Sequence, residues 1–83
     1  MPLNLVSGAH YIVFGTCDEE CLDMDLALRN PAGVLLVADS EADDHPNVEI
    51  VAKTTGTYQL AVMMAGCRTE PCNFAIGVIQ TAQ

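Results

Sequence analysis

Four cysteines, Cys17, Cys21, Cys67 and Cys72, and a dense set of carboxylates are the residues whose types and spacing could do chemistry. The cysteines fall in two close pairs, C-x3-C and C-x4-C. That spacing is looser than the C-x2-C knuckle of common zinc sites. Catalytic dithiols sit as C-x-x-C beside positive groups that favour the thiolate, whereas Asp18, Glu19 and Glu20 crowd the first pair with negative charge. Two disulfides are therefore expected, and with them an oxidising, extracellular compartment. Three pairings are open. The local one, Cys17–Cys21 with Cys67–Cys72, pins two loops and is the first choice; linking 17/21 to 67/72 would close larger loops and stabilise more.

Nine of the 11 carboxylates lie in two segments, Asp18 to Asp25 and Asp39 to Asp44. Crowded carboxylates repel unless a cation neutralises them, and calcium takes six to eight oxygen ligands from loops with aspartates at short intervals. Asp23, Asp25, Asp39 and Asp43 are the expected ligands, with Asp44 next and loop carbonyls or water completing the shell. The EF-hand pattern is absent. The competing reading is a solvated acidic edge that blunts aggregation.

The elements that must position these groups follow period two, not the helical period. His10 to Phe14 is a β-branched and aromatic run. Leu22, Met24, Leu26 and Leu28 alternate with Asp23, Asp25, Ala27 and Arg29. Asn30-Pro31-Ala32-Gly33 reads as a turn, with Pro second and Gly fourth, and the apolar strand Val34 to Ala38 completes a hairpin. That hairpin sets Asp25 near Ala38 and Asp39, so both acidic runs converge at one end. Val48, Ile50 and Ala52 share a face of the next strand. Tyr58, Leu60, Val62 and Met64 share one in the strand after it, and Phe74, Ile76 and Val78 in the last. Leu3, Leu5 and Val6 could add a further strand. Six short strands with turns between them predict an all-β chain, a small antiparallel β-sandwich or jelly-roll-like domain spanning residues 1–83. Residues 1–9 are then an extra strand or an exchanged segment.

Across Tyr11 to Ile79 the chain resembles the bacterial pre-peptidase C-terminal domain of the disulfide-bearing secreted type. The resemblance is carried by Cys17-Asp18, Cys21, Asp23-Met24-Asp25-Leu26, Gly33, Asp39, Asp43 and Pro46, then by Gly56-Thr57-Tyr58 and the Cys67 to Cys72 loop. It implies a secreted, non-catalytic β-sandwich appended to enzymes or surface proteins, calcium-binding in some members. Against that pattern the N-terminal part is short by one strand, and no catalytic domain accompanies it.

Charge and composition exclude other classes. A net charge of −8, with three Lys and Arg, leaves nothing to neutralise a run of phosphates or dock on anionic lipid. No apolar run is long enough to span a bilayer, and Met1 to His10 shows no basic stretch followed by a long apolar core. No enzyme is expected: His10 reads as a strand histidine, His45 as a loop residue, and Ser7 and Ser40 lack a nucleophile-elbow context.

Two non-catalytic readings remain. In the first, the chain is an extracellular structural subunit that assembles with copies of itself, as a homo-oligomer or filament, through strand edges or apolar faces. Ala61, Met63, Ala75, Gly77 and Ile79 are small or apolar where solvated strands carry polar residues. A missing strand would leave an edge for another copy, with Pro2 to Val6 as candidate donor. In the second, it is an accessory binding module; its few aromatics, Tyr11, Phe14, Tyr58 and Phe74 with no Trp, make a poor sugar platform.

Overall fold

A computed structural model describes residues 1–40 and 45–81. The chain is all-β, with seven strands: β1 (Pro2–Leu5), β2 (His10–Cys17), β3 (Cys21–Arg29), β4 (Leu35–Asp39), β5 (Asn47–Val51), β6 (Gly56–Cys67) and β7 (Phe74–Thr81). They form two antiparallel sheets, β1-β6-β3-β4 and β5-β2-β7, packed as a small β-sandwich. Strands β4 and β5 approach each other along one side, which leaves β1 and β7 on the other.

The alternation read from the sequence accounts for most of the core. Met24, Leu26 and Leu28 of β3, and Tyr58 and Leu60 of β6, are buried between the sheets against Tyr11 and Val13 of β2 and Val48 of β5. The opposite faces alternate with them, exposed along β6 and mostly half-buried along β2 and β3, as the period of two requires. Residues 2–5 form a strand on the chain's own β6, Leu3 opposite Tyr58 and Leu5 opposite Gly56, and Leu5 enters the core. The segment read as a possible donor to another copy is thus docked in its own sheet.

The β3–β4 turn forms as its residues dictate. Gly33 N–H donates to Asn30 O at 2.9 Å, and Asn30 Oδ1 accepts from the N–H groups of Ala32 and Val34. Gly33 has φ +87°, a left-handed conformation that a side chain disfavours. Beyond this turn the ladder slips by one residue: Arg29 pairs with Leu35, but Leu28 pairs with Val37 and Leu26 with Asp39. A slip of one residue turns every later side chain to the other face.

Three expectations about burial change. Leu22 was grouped with Met24, but irregularities at Cys21/Asp23 and Asp23/Met24 break the alternation and leave it 51% exposed. The apolar strand starts at Leu35, not Val34, and as an edge strand it leaves Val34, Leu35 and Leu36 exposed. Phe74 and Val78 do lie on the inward face of β7, opposite Cys17 and Val13, yet remain 48% and 42% exposed because the facing sheet covers little of that edge.

Candidate functional site

The ends of β2, β4 and β6 and the starts of β3, β5 and β7 meet at one end of the sandwich. Both cystines lie there, Cys17–Cys21 and Cys67–Cys72, with Cα–Cα distances of 6.0 and 6.1 Å. The first closes the crossover from β2 to β3, and the second the return crossover from β6 to β7. Cys21 stands opposite Cys67 across the β3–β6 ladder, so the two crossovers are neighbours. Arg68 N–H donates to Glu20 O at 2.7 Å and binds them together. Asp18 completes the clasp: its Oδ1 accepts from Glu20 N–H and its Oδ2 from Asn73 N–H, at 3.1 and 2.9 Å. Part of the acidic run is therefore structural wiring. The two disulfides require an oxidising environment.

The expected calcium ligands are placed as follows. Asp23 stands opposite Gly66 on β6, with its Oδ1 buried and taking no hydrogen bond among the described residues. Asp25 stands opposite Met63, on the outer face. Asp39 stands opposite the buried Leu26, on the inner face, and its Oδ2 accepts from Asn47 N–H at 2.9 Å, joining the end of β4 to the start of β5. The hairpin thus brings the Asp25 and Asp39 backbones together, while the register slip sends their side chains to opposite faces. Among the described residues, no three His, Cys, Asp or Glu side chains gather as a metal-holding group, so Asp23, Asp25 and Asp39 do not converge on one point. Asp43 and Asp44 lie outside the described residues.

A second polar cluster was not foreseen from the sequence. On the outer face of the three-stranded sheet, His10 Nδ1 lies 2.5 Å from Thr81 Oγ1, and its Nε2 lies 2.7 Å from Glu49 Oε2. Hydroxyl, imidazole and carboxylate stand in the order of a nucleophile, base and orienting acid. The cluster lies on the outer face of the strands, however, and two concavities formed by the described residues include neither its His nor its Thr. One is a shallow groove beside Thr16, Asp18, Asn73 and Phe74; the other is a cavity of about 460 Å³ lined by Asn30, Leu36, Ile50, Lys53 and Tyr58 among others. What the cluster does is tie β5, β2 and β7 together across their ladder. The signal for it was three outward positions on three strands, which only the register reveals as neighbours.

Large apolar side chains are exposed on both sides of the sandwich. Val34, Leu35 and Leu36 lie on the β4 side; Phe74, Val78 and Ile79 lie on the β7 side, with Met63 on the outer face of β6. The sequence places Ala61, Met63, Ala75, Gly77 and Ile79 facing outward; four of them are exposed, and Gly77 is half-buried under the Phe14 ring. Of the aromatics, Tyr11 and Tyr58 are buried with their hydroxyls engaged, by Val6 N–H and Thr54 O respectively, while Phe14 and Phe74 are exposed. No protein-family model and no curated protein matches this chain.

Proposed function

We propose that this chain is a non-catalytic extracellular structural subunit that associates with copies of itself through its strand edges and apolar faces. The observation that carries the reading is the exposed apolar surface on both long sides, Val34 to Leu36 on one and Phe74, Val78 and Ile79 on the other. Large apolar side chains exposed along the rim of a sandwich point to interaction surface. Surface on two opposite sides suits a subunit that contacts two neighbours, as a fibre requires. The disulfides support an extracellular location.

Calcium is a separable part of the proposal. Net charge of −8 opposes association, and a divalent cation at the acidic end would relieve it. Asp39 already turns one carboxylate oxygen to the backbone, so the ion would draw on Asp43 and Asp44 beside it in the chain. A second reading, an accessory module on a secreted enzyme or surface protein, rests on the cavity between Asn30, Leu36, Ile50 and Tyr58.

Light scattering on oxidised protein, from micromolar to millimolar concentration, in calcium and after chelation, separates these. Mass that grows with concentration is expected, and more steeply in calcium. A monomer throughout would overturn self-association and favour the accessory module. Growth unaffected by chelation would remove calcium and keep the subunit.

A further inference from the structure

The four edges of the two sheets are not equivalent. β1 is four residues long and begins with Pro2; β4 is short and its ladder is irregular. β5 carries Glu49 and lies beside β4, tied to it through Asp39 and Asn47. Each has one of the devices by which sheets blunt an edge: shortness, proline, a bulge, charge or cover. β7 has none. It is eight residues, Phe74–Thr81, with no charged residue and no proline, in a chain of net charge −8. On the same side of the sandwich β1 covers β6 only as far as Gln59, with Met1 reaching Leu60, so the upper part of β6 is open there too.

Resting on the reading of the chain as a self-associating subunit, we propose that β7 is the homotypic interface: two copies pair β7 with β7 antiparallel about a two-fold axis at Gly77. An unpaired row of N–H and C=O groups selects a strand as its occupant. Charge selects a second copy in the antiparallel sense. Among the described residues, Asp18, Glu19, Glu20, Asp23, Asp39 and Glu70, against the one cation Arg68, lie at the end where β7 begins, while Arg29 and Lys53, against the one carboxylate Glu49, lie at the end where it finishes. Antiparallel pairing sets the acidic end of each copy beside the cationic end of the other, and parallel pairing would set acid against acid.

Matching faces and polarity narrow the register to an axis at Ile76 or Gly77, and the ring over Gly77 selects the second. Partners in a ladder share a face, so a two-fold perpendicular to the sheet must pair residues an even number of positions apart. An axis at Gly77 pairs Ile76 with the second copy's Val78 on the inner face and Ala75 with its Ile79 on the outer one, each twice. An axis at Val78 would set Ile76 against Gln80 and Ala75 against Thr81, a poorer match of apolar with polar. Gly77 also suits the axis: Phe14 lies over it so closely that a Cβ there would collide with the ring, so the flat spot is already roofed by an aromatic that faces its symmetry mate. The half-exposed Phe74 and Val78 then lie along a sheet of six strands in place of an open rim.

Two double variants on the exposed outer positions test this. Ala75→Glu with Ile79→Glu sets Glu against Glu twice, and the dimer dissociation constant is expected to rise by roughly 100-fold. Ala75→Lys with Ile79→Glu sets Lys against Glu twice and is expected to return within about tenfold of the parent chain. Circular dichroism and thiol titration confirm that each variant folds with its disulfides. If the diglutamate variant associates like the parent, β7 is not the interface, although self-association stands. Loss in both variants would overturn the Gly77 register. A parent chain that stays monomeric at millimolar concentration overturns both this interface and the self-association it rests on.

Discussion

Reduction and alkylation of both cystines is expected to lower the melting temperature by about 15–30 °C. Cys17–Cys21 and Cys67–Cys72 close short loops, with sequence separations of 4 and 5. In the chain-entropy model, loops of this size restrict the unfolded chain by about 2 kcal/mol each, or about 4 kcal/mol together. A domain of this length has about 4–12 kcal/mol in all, so the loss is a large share. The effect has a place as well as a size. The cystines clamp two of the three crossovers that join the sheets at one end, and the Asp18 and Arg68 hydrogen bonds there depend on those two staying side by side. Differential scanning calorimetry before and after alkylation measures it. An unchanged melting temperature after complete alkylation would mean that this end does not limit unfolding.

The second large effect is in the core. Leu26→Ala is expected to cost about 2–5 kcal/mol, by the lost transfer energy and the cavity left behind. Leu26 is fully buried on β3, opposite Val62 on one neighbour and Asp39 on the other, where no surface side chain can collapse into the gap. Met63→Gln, one residue along on β6 and facing outward, is the control and is expected to change folding stability by less than about 0.5 kcal/mol. Denaturant titration of dilute protein compares them. Equal costs for the two would show that the inner and outer faces are wrongly assigned.

Local pattern made much of this fold legible. Alternation in Met24, Leu26 and Leu28 marks one face of β3, and Asn30-Pro31-Ala32-Gly33 marks its hairpin, because both signals act within a few residues. The local cystine pairing was the first expectation for the same reason. What escaped depends on register or neighbours. Had the Arg29–Leu35 register continued, Asp25 would face Asp39; the single slip at Leu28/Arg29 moves Asp39 to Leu26 and parts the two carboxylates. Nothing in the sequence of a hairpin announces a one-residue bulge. Phe74 and Val78 were assigned to the correct face, but whether a face is covered depends on how far the opposite sheet extends, and that sheet ends in a short β1. The His10, Glu49 and Thr81 cluster draws one residue from each of three strands spread over most of the chain, so only their pairing could reveal it.

The central claim is that copies associate through the open side of the sandwich, and amide hydrogen exchange across a concentration series tests it most directly. The account predicts that the β7 amides pointing away from β2 exchange more slowly as concentration rises, while the amides of β5 keep one rate. Exchange in β7 that stays the same from micromolar to millimolar protein would contradict it.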